Sequence, residues 1–132
     1  MKYVTNLMIN EYGIKRLGID FMGYSLEKGD IYTYHHLIIP KRNGGAITVQ
    51  NGAILCGKSA HPYLHLIERY DYDRFLAITS EMIDENIKGY LDMDNIHYIH
   101  DILESFEREY SGTRSKKGKL IIKEEYTRRL KR

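Results

Sequence analysis

Cysteine is nearly absent: Cys56 is the only one in 132 residues. A lone thiol closes no intrachain disulfide and cannot build a four-cysteine zinc knot, so any bound metal must rest on His, Asp or Glu. Tryptophan is missing, and aromatic area comes from twelve tyrosines and three phenylalanines. With two prolines and 42% hydrophobic residues, the composition is that of an ordered domain rather than a disordered tract. No hydrophobic run approaches the roughly 18 residues that cross a bilayer. The opening MKYVTNLMINEYGIKRLG is broken by Asn, Glu, Gly and Lys before a signal-peptide core could form. The chain is therefore expected to be soluble and cytoplasmic, with no membrane partner.

What is present is a single domain's worth of chain, 1–132, with no internal repeat and no break in composition. The net charge of +2 conceals an asymmetry. From Ser111 to Arg132 there are nine Lys or Arg against two Glu, a charge of +7, which leaves −5 for the rest. Such a block is either a phosphate-binding arm or a solvated terminus.

Local patterns give an α+β reading. A helix is expected over Asn6–Leu17 and a turn at Gly29-Asp30. The β-branched and aromatic run Ile31–Ile39 reads as a strand ended by Pro40. Lys41–Gly45 supplies turn chemistry, Ala46–Val49 a short extended piece, Asn51-Gly52 a turn, and Ala53–Cys56 a buried strand. Ser59 is placed to cap a helix through His61, His65 and Glu68, with Pro62 in its first turn. Two more helices follow. One runs over Asp73–Lys88, with Phe75, Ile78, Met82 and Ile83 on one face, and stops at Gly89. The other is capped by Asp94, with Ile96, Ile99, Leu103, Phe106 and Tyr110 at helical spacing. Ser111–Lys119 reads as a loop and Lys123–Lys131 as a short helix.

Four of the six histidines lie between positions 35 and 65. His35 and His36 are neighbours on a strand, so their side chains leave on opposite faces. His61 and His65 are four apart, which on a helix stacks both imidazoles on one face, a recurrent grip on a metal. One member of the strand pair can complete a three-imidazole site, and the other is then left beside the metal without binding it. That geometry suits phosphodiester hydrolysis. A metal polarises the phosphate, and a free histidine near its reference pKa takes the proton of the attacking water. The base needs its other ring nitrogen held by an acceptor such as a side-chain amide, and Asn51 falls between the two pairs.

His35-His36-Leu-Ile-Ile-Pro, then Gly44-Gly45, then Asn51-Gly-Ala-Ile-Leu-Cys, then His61-Pro-Tyr-Leu-His65 resembles the HNH endonuclease motif. The resemblance runs from Tyr32 to Ile67, about a quarter of the chain. It implies a ββα-metal core over 31–68, extended by helices over 71–110 and a basic arm over 111–132. By the same resemblance His36 is the general base, oriented by Asn51, and His35, His61 and His65 hold one divalent ion (Mg, Mn, Zn or Ni). The three-histidine set is similar to that of the nuclease colicins. The implied reaction is hydrolysis of DNA, in preference to RNA, leaving a 5′-phosphate and a 3′-hydroxyl. A homodimer would let both strands be cut in one encounter.

Three features depart from the family. The paired Cys-x-x-Cys motifs that bind a structural zinc in many members are missing, with Ser59 where a second cysteine would stand. The stretch from Cys56 to His61 is also one residue longer than usual, and Gly52 replaces the common apolar residue after the Asn. Lys41, Arg42, Arg114, Lys116 and Lys117 are expected to contact phosphates. His97 and His100 are expected to be polar positions on a helix rather than a second metal site, and Cys56 a buried small hydrophobe. The reading from another class is a module that binds nucleic acid or protein without catalysis, its metal site structural or vestigial.

Overall fold

The computed structural model describes residues 2–26, 30–116 and 119–130. It mixes helix and strand: α1 (Lys2–Glu11), α2 (Ile14–Leu17), β1 (Tyr32–His36), a 3₁₀ turn (Lys41–Asn43), β2 (Gly52–Cys56), α3 (Ala60–Tyr70), α4 (Tyr72–Lys88), α5 (Met93–Tyr110), β3 (Ser111–Arg114), β4 (Leu120–Ile122) and α6 (Glu124–Leu130). Strands β1 and β2 pair antiparallel, with Tyr34 opposite Ile54 and His36 opposite Gly52. Among the described residues no helix is long and apolar enough to cross a membrane.

All five residues of β2 are buried, as a short continuous apolar run predicts for a strand covered on both faces. Its outer edge is sealed by the segment after α2. Phe21 donates its backbone N–H to Ile54 O (3.1 Å), and the buried Asp20 carboxylate accepts from Cys56 N through Oδ2 (2.8 Å). Asp20 Oδ1 takes the N–H groups of Met22 and Tyr24, both at 2.9 Å. Burial raises the Asp20 pKa, against the pull of these amides. The buried side chains of α1, β2, α3, α4 and α5 join in one cluster that includes Met8, Leu55, Leu64, Ile78, Ile99 and Phe106.

Several expected boundaries move, each for a visible reason. The helix over Asn6–Leu17 is two helices, because Gly13 adopts the left-handed conformation (φ 64°) that an ordinary helix excludes. The strand expected to reach Ile39 ends at His36. Beyond it the amides of Ile38 and Ile39 turn to the Asn51 side chain instead of a partner strand. Helix α4 begins at Tyr72, one residue before the expected Asp73, with Asp71 as its cap accepting from Arg74 N, and Asp92 rather than Asp94 caps α5, accepting from Asp94 N. Ser111–Lys119 contributes strand β3, which pairs with β4, so the basic end begins as a hairpin. Helix α6 rests on α5 through Tyr126 and Tyr110, whose ring centroids are 4.3 Å apart. Lys131, expected to close that helix, lies outside the described residues.

Glu85 on α4 is fully buried, and burial pushes its carboxyl up to about 8, with Asp92, Asp20 and Glu81 adding repulsion. Oε1 accepts from Asp92 N at 3.0 Å, while the buried Oε2 has no partner among the described residues. The folded chain therefore holds this proton over a range in which the unfolded chain, at about 4.5, has released it. Its contribution to stability is complete below the lower value and declines as pH rises towards the upper one, by up to about 1.4 kcal/mol per pH unit. Glu85→Gln should flatten that decline between pH 5 and 8. Equal denaturant midpoints for the parent chain at the two pH values would contradict the assignment.

Candidate metal centre

Thr33 and His35 share one face of β1, as the strand's two-residue period requires. Both meet His61, which sits in the first turn of α3. Thr33 Oγ1 lies 2.7 Å from His61 Nδ1, and His35 Nδ1 lies 3.3 Å from His61 Nε2. One turn further along α3, His65 brings its ring to 4.9 Å from His61 and 5.2 Å from His35, centroid to centroid. One ligand nitrogen from each of the three lies within 4.8 Å of the others. The extra residue between Cys56 and His61 does not carry His61 away, because α3 starts at Ala60 and keeps it in the first turn. Ser59 occupies the N-cap position without a side-chain capping bond, and Pro62 needs no partner there.

Hydrogen bonds fix which nitrogens face inward. The Thr33 hydroxyl donates to Leu55 O (2.9 Å), so towards His61 it can only accept. His61 therefore carries its proton on Nδ1 and presents the bare Nε2 to the cluster. Glu68, three residues after His65 on α3, accepts from His65 Nδ1 at 3.1 Å and leaves Nε2 of that ring free. A partner on the outer nitrogen is the arrangement that orients metal-ligating imidazoles. His35 is only 7% exposed, and its buried Nε2 has no partner among the described residues. Burial, with repulsion between neighbouring rings, lowers the His35 pKa to about 3 and that of His61 to about 4. Both are uncharged at neutral pH, with lone pairs available.

This cluster could hold a metal ion, and the donors fit one. Two nitrogens bound to a single tetrahedral ion at about 2.0–2.1 Å stand about 3.3–3.4 Å apart, the separation of His35 Nδ1 from His61 Nε2. A donor set of imidazoles without carboxylate suits zinc, nickel and related ions. Magnesium, which takes oxygen ligands, is the poorest match of the four expected.

Thr33 and Glu68 escaped the sequence reading, although both had a signal: position −2 from a candidate ligand on a strand, and +3 from a candidate ligand on a helix. Thr33→Val preserves the shape but removes the acceptor, and should weaken metal binding about 10- to 100-fold by titration calorimetry. Thr33→Ser should restore it. Equal affinity for the valine and parent proteins would remove Thr33 from the site.

His36 leaves β1 on the other face, with its ring edge against Tyr34 (centroids 5.0 Å apart, 86°). Its Nε2 is buried, with no partner among the described residues. The Tyr34 ring in turn covers Gly52, where a Cβ would come within 2.1 Å of it, which accounts for glycine at that position. The Tyr34 hydroxyl donates to Thr48 O and accepts from Thr48 N, tying down the loop between the strands.

Asn51 differs from expectation. Its Oδ1 accepts from Ile38 N (3.0 Å) and Ile39 N (2.8 Å), and its Nδ2 donates to Ile39 O (3.0 Å) and Ala46 O (3.1 Å). Both lone pairs and both amide hydrogens are committed, so no acceptor remains for the His36 ring. Asn51 is the staple of the 37–50 loop. Gly45 belongs to the same turn, since a Cβ there would lie 1.9 Å from Ile39 O. Asn86 on α4, also unforeseen, braces the loop by donating to Val49 O and Gly52 O, both at 2.7 Å.

His35, His36, His61 and His65 line one cleft of about 940 Å³, together with Lys41, Arg42, Glu68 and the α4 residues Tyr72, Phe75 and Leu76. Lys41 and Arg42 are exposed, and among the described residues neither makes an ion pair. Arg114 is not among the cleft residues. It pairs with Glu107 and lines a separate hollow on β3. Lys116 is exposed beyond that strand, and Lys117 lies outside the described residues. His97 is exposed on α5, whereas His100 donates from Nε2 to Met22 O (2.8 Å), and among the described residues neither joins a second cluster. Cys56 is buried, and burial beside Asp20 pushes its thiol up to about 12, the state of an inert hydrophobe.

Comparison with protein-family models, with curated proteins and with solved structures finds no match to this chain.

Proposed function

We propose that this protein is a metal-dependent endonuclease of the HNH type, with β1, β2 and α3 as its ββα-metal core and DNA as its substrate. The observation that carries the reading is the convergence of His35, His61 and His65, with His36 lining the same cleft. His35, His61 and His65 would hold one divalent ion, which when bound supplies positive charge to the scissile phosphate and to the leaving oxygen. Thr33 and Glu68 keep the two helix imidazoles in the ligating tautomer. His36, whose ring lines the cleft, takes the proton of the attacking water. Lys41 and Arg42 hold the flanking phosphates in the cleft. Asn51 keeps the loop carrying these two cations folded back on β2.

The test uses supercoiled plasmid incubated with the purified chain and Mg²⁺, Mn²⁺, Ni²⁺ or Zn²⁺, with and without chelator. Nicking that needs one of the ions and stops on chelation is expected. Stoichiometric bound metal, shown by elemental analysis, with no nicking under any ion would refute hydrolysis and leave a binding module built around a structural ion.

A further inference from the structure

The cleft that gathers the histidines has an apolar wall with no part in hydrolysis. Tyr72, the first residue of α4, stacks on Phe75 with centroids 5.6 Å apart and rings 26° from parallel. Phe75 is buried, whereas Tyr72 is 56% exposed. The pair is thus a supported aromatic platform whose outer ring lines the cleft. Its other charged lining groups are Lys41 and Arg42, which are unpaired among the described residues, and Glu68, which is engaged by His65. The uncommitted charge is positive. An occupant matched to both features has an anionic end and a flat, weakly polar end, as a nucleotide does. Within a paired duplex the face of each base is covered by its stacked neighbours, so only an unpaired base can reach such a ring.

We propose that the cleft takes nucleic acid through an unpaired base stacked on Tyr72, with the adjoining phosphate towards Lys41, Arg42 and the histidines. The substrate class is then single strands, or duplexes carrying an extrahelical or frayed base at the cut. The phosphate end of this inference rests on the hydrolytic reading above, and the stacking end rests on Tyr72 and Phe75.

Binding of a single-stranded oligonucleotide carrying 2-aminopurine, and of its duplex, tests this with the full-length His36→Ala chain loaded with Zn²⁺, so that cleavage does not intervene. The single strand should bind more tightly than the duplex, with its fluorescence quenched. Adding Tyr72→Ala should weaken single-strand binding about 5- to 100-fold, the worth of one stacked base, and abolish the quenching. Tyr72→Phe should retain both. The exposed position makes misfolding a minor concern, and an unchanged thermal midpoint verifies that. Unaltered affinity and fluorescence in the alanine variant would overturn the proposal, as would equal weakening on single strand and duplex, or no binding of either. If either of the first two results accompanies ion-dependent nicking by the parent, stacking fails and hydrolysis stands. Quenching that depends on Tyr72 in a chain that nicks nothing would have the opposite meaning.

Discussion

Replacing His36 by alanine should lower phosphodiester cleavage about 10²- to 10⁴-fold, the usual contribution of a positioned general base, with metal affinity and folding near those of the parent. The expectation follows from how β1 divides its faces. His35 turns towards α3 and the other two imidazoles, whereas His36 leaves the opposite face and rests against Tyr34. Truncating it takes away no ligand. Its buried Nε2 has no partner among the described residues that the truncation would orphan. The contrast is His65→Ala, which removes one of the three proposed ligands. That variant should bind the ion more weakly and forfeit stabilisation by it, about 2.7 kcal/mol where the ion stands at 100 times its Kd. Plasmid nicking rates, calorimetric metal titration and thermal midpoints with and without ion separate the two cases. A His36→Ala protein that cuts as fast as the parent would remove His36 from the proposed mechanism.

The parts of this site that were legible in sequence are those governed by short periods. The four-residue spacing of His61 and His65 needs only a helix, and the alternation at His35-His36 needs only a strand. Both rules survive changes of a residue or two in the element ends. What sequence could not supply was the partner of each polar group. Asn51 stood out by its place between the histidine pairs, and an acceptor for His36 was one sensible role. The stronger demand came from backbone amides at Ile38 and Ile39, which lose strand pairing once the chain turns after His36. Nothing in the letters ranks those two demands; only the folded loop does. Thr33 was hidden for a related reason, since its role depends on Leu55 O occupying its hydroxyl proton. The hairpin of β3 and β4 was missed because the Lys-rich stretch between its strands outweighs their few residues, Ser111–Arg114 and Leu120–Ile122.

Asn51→Ala should be among the most disruptive single changes in this chain, and should act on the fold before it acts on chemistry. The substitution deletes four hydrogen bonds, leaving the Ile38 and Ile39 amides and the Ile39 and Ala46 carbonyls without their partner. At about 0.5–1.5 kcal/mol each, with water relieving the more exposed groups, the loss is about 2–4 kcal/mol. For a domain of this size that lowers Tm by about 10 °C. The loop so loosened carries Lys41 and Arg42 and begins at the residue after His36, so cleavage should fall as well, as a consequence of the lost turn. A role confined to orienting the His36 ring predicts the reverse: slower cleavage with stability intact. Hydrogen exchange decides between them residue by residue. The amides of Ile38 and Ile39 should lose their protection in Asn51→Ala, while Leu37, whose amide donates to the backbone O of residue 51 at 2.7 Å, should keep more of its own. Unchanged protection at Ile38 and Ile39 with an unchanged Tm would refute the staple and return Asn51 to His36.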